Sequence, residues 1–165
     1  RAIINRGFGG AHMRHVLHYY DDVVKVYKPR ALVLYAGEND IAASVKPSVI
    51  LGDFDKLMTK LRADFPNMPV LIMSVKPSPA HFDDLAIQLE VNEGFKQRAS
   101  KDKNLHYVDV ATPMLQAGEQ GVADDLFSED QLHLSEKGYD IWARELGWYF
   151  DRLFGPIELG PVDRG

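Results

Sequence analysis

The sequence predicts an α/β fold in which a parallel sheet lies between two layers of helices. Short apolar runs rich in β-branched residues alternate along the chain with longer amphipathic stretches. The runs are almost uninterrupted in apolar residues, which is typical of parallel strands covered on both faces. Strands that alternate with helices over short connections favour a three-layer αβα domain with right-handed crossovers.

The apolar runs are the predicted strands, and they cover residues 2–4, 31–36, 70–75 and 105–110. The first predicted helix covers residues 12–27 and ends before Pro29, because proline cannot continue a helix. The second begins near Pro47 and stops by Pro66. Its apolar residues are spaced to form one stripe, which comprises Ile50, Phe54, Leu57 and Leu61.

Two further helices complete the predicted domain, over residues 82–100 and 135–153. Ser135 is the predicted N-cap of the last helix. We predict one domain over residues 1–154, followed by an extended tail, rich in glycine and proline, over residues 155–165. The last helix turns a set of large apolar residues toward a core, namely Ile141, Trp142, Leu146, Tyr149 and Leu153.

Composition excludes several classes of function. The chain of 165 residues has the size of one domain, and its net charge of −5 provides no basic field for nucleic acid. No apolar run approaches the roughly 20 residues that a transmembrane helix needs. The absence of cysteine excludes disulfides and thiolate metal sites. We therefore expect neither a nucleic-acid partner nor a transmembrane segment, while composition leaves the cellular compartment open.

Three polar segments are predicted to meet at one edge of the sheet. Residues 7–10 follow the first predicted strand, residues 37–40 follow the second, and Asp130 and His133 precede the last helix. Ligands of open parallel sheets bind at the carboxyl ends of the strands. The sequence thus predicts a site at this edge.

The residue types in these segments suit acyl transfer. An ester carbonyl under attack develops an oxyanion, which the backbone N–H of Gly10 and the side-chain amide of Asn39 could stabilise. His133 is the natural general base for a hydroxyl nucleophile. Asp130 could hold the imidazole in the required tautomer and stabilise its protonated form.

Together these segments resemble the SGNH hydrolases, also called GDSL esterases and lipases. Asn-Arg-Gly-Phe-Gly-Gly at residues 5–10, Gly-Glu-Asn-Asp at 37–40 and Asp-Gln-Leu-His at 130–133 match the family's blocks in order. Residues 33–37 and 72–79 also resemble its bacterial esterase branch. The resemblance implies a flavodoxin-like fold and hydrolysis of a small-molecule carboxylic ester through an acyl-enzyme, without a metal or organic cofactor.

The resemblance also implies the role of each residue. Gly10 and Asn39 would donate to the oxyanion, with Gly9 as an alternative to Gly10 because the glycine-rich loop blurs the alignment by one position. His133 would be the base and Asp130 its partner.

The nucleophile block of the family, a Gly-Asp-Ser or Gly-Ser-Ser run after the first strand, is absent from this sequence. No serine follows a glycine at a predicted strand end; the serines are Ser44, Ser48, Ser74, Ser78, Ser100, Ser128 and Ser135. The family's sheet order resembles 2-1-3-4-5, so the missing strand would lie between residues 2–4 and 31–36. We therefore expect the chain to be a fragment that is inactive alone, unless a second chain in an oligomer supplies the serine strand.

The same residues also allow interpretations other than ester hydrolysis. A non-catalytic module that binds a small carbohydrate or an acyl group would also fit a site without its serine. A dinucleotide site is disfavoured, because His12 stands where a third glycine is required. On a helix His12 and His15 share a face while His18 turns away, so no three-histidine metal site follows. Three apolar residues could form a lid over the site, namely Phe82, Leu85 and Leu89.

Overall fold

In the computed structural model, which describes residues 3–118 and 121–156, three parallel strands form one sheet with helices on both faces. The strands are β1 (Leu32–Leu34), β2 (Val70–Met73) and β3 (Leu105–Val108), in the order β1-β2-β3. In the register, Leu32 is opposite Val70, and Val70 is opposite Leu105. The predicted fold class and the last three predicted strands are confirmed.

The first predicted strand is wrong for the part that the structure describes. Ile3 and Ile4 are in no strand and do not pair with β1, and they are 90% and 57% exposed. A short apolar run becomes a strand only when a neighbouring strand satisfies its backbone and another layer covers its side chains. Residues 3–8 have neither among the described residues, while Ala2 lies outside them.

The first predicted helix is divided into three pieces. These are α1 (Met13–His18), α2 (Tyr20–Val23) and a 3-10 helix (Lys25–Tyr27). Three of the last five residues of this stretch are valines, whose branched side chains lower helix propensity. A further short helix, α3 (Glu38–Ala42), directly follows β1 and Gly37.

The long helices begin and end close to the predicted positions. α4 (Pro47–Asp64) has proline at its first position, and α5 (Leu85–Ala99) starts later than predicted because a 3-10 helix (Pro79–Asp84) precedes it. After β3 come α6 (Ala111–Gln116), a 3-10 helix (Asp124–Leu126) and α7 (Glu136–Phe154). The predicted cap is confirmed, since Ser135 Oγ accepts a hydrogen bond from the N–H of Gly138.

The core lies on both faces of the sheet. The larger part packs α1, α4 and α5 against one face, with Phe54, Phe95 and Ile72 fully buried. On the other face Leu71 and Met73 pack against α7. The apolar residues of α7 face the core as predicted, but they remain only partly buried; on this face they are Trp142, Leu146, Tyr149 and Leu153.

Candidate active site

Asp130 and His133 form a hydrogen-bonded pair in the loop before α7. His133 Nδ1 is 2.5 Å from Asp130 Oδ2, and the His133 side chain is 76% exposed. With a proton on Nδ1 donated to the carboxylate, Nε2 is the basic nitrogen. The pair thus presents a solvent-accessible imidazole beside a carboxylate, and the role of His133 as general base stays a prediction.

The loop itself supports this pair. Asp130 Oδ1 accepts hydrogen bonds from the N–H groups of Leu132 (3.0 Å) and His133 (2.9 Å) and from Ser128 Oγ (3.1 Å). The pKa of the Asp130 carboxyl lies well below its usual range, first because it accepts a hydrogen bond from the His133 ring and then because of these backbone donors. The lowered pKa keeps Asp130 ionised at neutral pH, as an orienting carboxylate must be.

Two contacts hold the loop at residues 128–133, which carries Asp130 and His133 and is called the base loop below, against the rest of the domain. Phe127 and Leu134 pair in an antiparallel bridge that joins the two ends of this loop. At its tip, the carbonyl of Gln131 accepts a hydrogen bond from the N–H of Ala80 at 3.2 Å. The segment after β2 thereby holds the loop over the carboxyl edge of the sheet.

The glycine loop and the turn after β1 meet at the same edge. Asn39 Nδ2 donates to the carbonyl of Ala11 at 3.0 Å, which places its amide beside the glycine loop. Gly10 has φ of +67°, a left-handed conformation that favours glycine. The amide of Asn39 carries a second N–H, so it can serve the loop and an oxyanion together.

Asp40 joins the same two segments from within. Its side chain is buried, and Oδ2 accepts a hydrogen bond from the N–H of Met13 at 2.9 Å, at the start of α1. Asp40 Oδ1 lies 3.4 Å from Nδ1 of His12. Asp40 thus has a structural role, and together with the adjacent Asn39 it joins the start of α1 and the end of the glycine loop to α3.

A buried ionic network at this edge was not predicted from the sequence. Lys76, three residues beyond the end of β2, forms an ion pair with Glu38. Tyr35 Oη donates to the other carboxylate oxygen of Glu38 at 2.9 Å. Burial, followed by the charge of Glu38, raises the pKa of Tyr35 well above its ordinary value, so the phenol remains a donor. The only sign of this network in the sequence is that a lysine directly follows the predicted strand at residues 70–75.

None of the seven serines, all of which lie among the described residues, is hydrogen-bonded to the imidazole of His133. Ser74 Oγ is buried and accepts hydrogen bonds from the N–H groups of Val110 and Ala111, which makes it part of the sheet framework. Ser128 Oγ contacts Asp130 and the carbonyl of His133, not the imidazole. Within residues 3–118 and 121–156, no hydroxyl is hydrogen-bonded to a ring nitrogen of His133.

The structure therefore assembles the predicted residues as two linked pairs. Asn39 lies against the residue that follows Gly10, and Asp130 lies against His133. The 3-10 helix at 79–84 connects the pairs, because it packs against α3 and binds Gln131. Gly9 lies in the same exposed loop, so it stays an alternative to Gly10.

The other histidines behave as the helical pattern predicts. The rings of His12 and His15 are 4.9 Å apart, whereas the His18 ring packs against Tyr19. Among the described residues, no three His, Cys, Asp or Glu side chains are grouped closely enough to hold a metal ion. Phe82, in the 3-10 helix, and Leu89, in α5, are both exposed, and the lid stays a prediction. Within residues 3–118 and 121–156, no helix has the length and apolar character needed to cross a membrane.

Comparison with known proteins decides the family. The model of the GDSL-like lipase/acylhydrolase family matches residues 1–141. The chain belongs to this family. This membership confirms the predicted resemblance and identifies the chain as an SGNH-type ester hydrolase. No significant match was found among curated protein sequences.

Solved structures share the fold of this SGNH-type chain. A GDSL-like lipase from Bacteroides thetaiotaomicron aligns with a TM-score of 0.77 and 22% identity, over 92% of this chain and 76% of that one. A carbohydrate esterase family 3 protein from Talaromyces cellulolyticus gives 0.75 and 19%, over 89% and 70%. A catalytic serine-to-alanine mutant of an acetylxylan esterase from Geobacillus stearothermophilus gives 0.74 and 17%, over 87% and 69%.

Proposed function

We propose that this SGNH-type chain supplies the general base, its orienting carboxylate and the oxyanion donors of a serine esterase that works through an acyl-enzyme. The observation that carries the proposal is the hydrogen-bonded pair of Asp130 and His133, held by its loop with the basic Nε2 accessible. The amide of Asn39 beside the glycine loop supplies the complementary donor.

In this mechanism His133 Nε2 takes the proton of a serine hydroxyl as the serine oxygen attacks the ester carbonyl. The N–H of Gly10 and the amide of Asn39 stabilise the resulting oxyanion. The protonated His133, stabilised by Asp130, then gives its proton to the leaving alcohol. Water repeats the sequence on the acyl-enzyme and releases the acid, which restores the serine.

We further propose that the serine comes from a strand outside these 165 residues, which would dock along β1. Among the described residues β1 pairs with β2 alone, and Val33 at its middle is exposed. The apolar side chains of α7 are only partly buried on the same face as Tyr35. An added strand beside β1 would satisfy the free backbone edge and cover these side chains.

Acetyl esters of small carbohydrates are the first substrates to test. Two of the structures with the same fold are described as an acetylxylan esterase and a carbohydrate esterase. The serine that is replaced in the catalytic mutant of the Geobacillus enzyme also supports a serine nucleophile here.

The test is esterase activity on p-nitrophenyl acetate, with and without the residues encoded upstream of Arg1. The 165-residue chain alone should show no activity above background. The extended protein should be active if the upstream segment holds a strand ending in Gly-x-Ser. In that protein His133→Ala should lower kcat about 10⁴-fold, and Asn39→Ala about 10²- to 10³-fold.

His18→Ala is the matched control, because His18 is exposed and packs against Tyr19 away from the pair. Its activity should equal that of the unaltered protein. Activity of the 165-residue chain that disappears with His133→Ala would overturn the proposal of an external serine. An upstream segment without such a serine, in a protein that stays monomeric and inactive, would instead favour a binding module for carbohydrates or acyl groups.

A further inference from the structure

A largely buried ion pair joins the segments that follow β1 and β2 at the candidate active site. The side chain of Lys76 is 6% exposed and that of Glu38 is 17% exposed. These residues are 38 positions apart, at the carboxyl ends of neighbouring strands β2 and β1. Burying two opposite charges stabilises a fold little compared with apolar packing, so the pair calls for another role.

On one side the pair holds the turn that carries Asn39. Glu38 is the residue before Asn39, and both of its carboxylate oxygens are engaged, one by Lys76 and one by Tyr35. Tyr35 lies on the β1 side of Gly37, so Glu38 is held from both strands. The position of the Asn39 amide is thus tied to the position of the lysine.

On the other side the lysine reaches the base loop. Its amine lies 5.9 Å from the centre of the Phe127 ring, within the range of a cation–π contact. Phe127 forms the bridge with Leu134 that closes the loop containing Asp130 and His133. The amine therefore contacts Glu38, which precedes the proposed oxyanion donor, and Phe127, which helps to close the loop that carries His133.

The lysine itself is rigidly placed. Asn92 on α5 accepts a hydrogen bond from the N–H of Val75 at 2.7 Å and donates to its carbonyl at 2.9 Å. Both groups are buried, so the backbone just before Lys76 has little freedom. A lysine held in this way can act as a spacer between the segment that carries Asn39 and the loop that carries His133.

We propose that Lys76 is a positioning residue that sets the separation between the Asn39 amide and the His133 imidazole through Glu38 and Phe127. The inference rests on the proposed function for its catalytic consequence, and its geometric part is measurable without catalysis. Lys76 touches no reacting atom in this scheme. Its ammonium group is neutralised by Glu38, so it acts through the geometry of its neighbours.

The first experiment is NMR on the 165-residue chain, following the side-chain NH₂ of Asn39 and the ring of His133. Lys76→Met should shift both sets of signals, because it leaves the Glu38 carboxylate without its charged partner. Glu38→Gln, a milder change that keeps a hydrogen-bond acceptor, should shift the Asn39 signals more than the His133 signals. Lys137→Met is the matched control, since that exposed lysine pairs with Asp125 near the same loop.

The second experiment measures kinetics in the extended protein that contains the serine. Lys76→Met should lower kcat about 10- to 100-fold, as expected for a small misplacement of catalytic groups, with KM changed less than about 3-fold. The double variant with Glu38→Gln should recover part of the loss, because it removes the unpaired carboxylate.

The two experiments separate failure of this inference from failure of the proposed function. A folded Lys76→Met chain with unchanged Asn39 and His133 signals overturns the positioning role, whatever the activity. Shifted signals in a protein that shows no esterase activity support the positioning role while the proposed function fails. Loss of stability alone, with kcat unchanged, also overturns the inference.

Discussion

Replacement of Gly138 by alanine should destabilise the junction between α7 and the base loop. A Cβ at this position would lie 2.3 Å from the backbone oxygen of Leu126 and 2.9 Å from Leu134 Cδ2. To reach an ordinary contact, the helix and residue 126 must separate by about 1 Å. The same carbonyl accepts a hydrogen bond from the N–H of Ser135 at 3.0 Å, and that separation would break the bond.

The magnitude follows from these two effects. Overpacking costs about 1–3 kcal/mol, and loss of one backbone hydrogen bond costs about 1 kcal/mol. We therefore expect Gly138→Ala to lower the free energy of unfolding by about 2–4 kcal/mol. Gly147 provides the control on the same helix, because a Cβ there meets nothing within 4 Å. Gly147→Ala should stabilise the chain by about 0.5–1 kcal/mol through helix propensity.

Urea unfolding of the 165-residue chain, followed by tryptophan fluorescence, measures both values. Trp142 and Trp148 both lie on α7, so the signal reports on the helix that carries the substitutions. Equal effects of the two substitutions, or a loss below about 0.5 kcal/mol for Gly138→Ala, would refute the close contact with residue 126.

Two further predictions concern hydrogen bonds around the site. Asn92→Ala leaves the buried N–H and C=O of Val75 without partners. The free energy of unfolding, measured by urea titration, should therefore fall by about 2–6 kcal/mol. The control Gln97→Ala, at an exposed position on the same helix, should change it by less than about 0.5 kcal/mol. The pKa of Asp130 is lower in the folded chain than in the unfolded chain, where it is about 3.9. The ionised carboxylate therefore stabilises the native state at pH values above the unfolded-state pKa. This contribution is lost as the pH falls through the folded-state pKa. The difference in Tm between the unaltered chain and Asp130→Asn should therefore shrink below about pH 4 in calorimetry; a difference independent of pH would contradict the assigned hydrogen bonds.

The sequence predicts the elements whose contacts are local or repetitive. The stripe on α4 follows from spacing, and the three strands β1, β2 and β3 follow from continuous apolar runs that any buried parallel strand requires. The residues Asp130 and His133 are three positions apart, so a single turn brings their side chains together. For such features, the short segment between the residues largely fixes their relative position.

Residues 3–4 show where this reasoning fails. They are β-branched, like many residues of β1, β2 and β3. A strand, however, also needs a neighbouring strand to satisfy its backbone hydrogen bonds. Among the described residues no strand lies beside them, and both are exposed. Strand formation depends on the partner as well as on the segment.

By itself the sequence determined the α/β class and the family blocks, and it named the residues proposed as base, orienting carboxylate and oxyanion donors. Only the tertiary structure decided how these groups are held. Lys76 meets Glu38 across 38 positions because parallel strands bring their carboxyl ends to one edge. Asp40 meets Met13 across 27 positions, where the start of α1 lies against α3. Such pairings depend on strand order, register and burial, which are properties of the assembled sheet and not of any one segment.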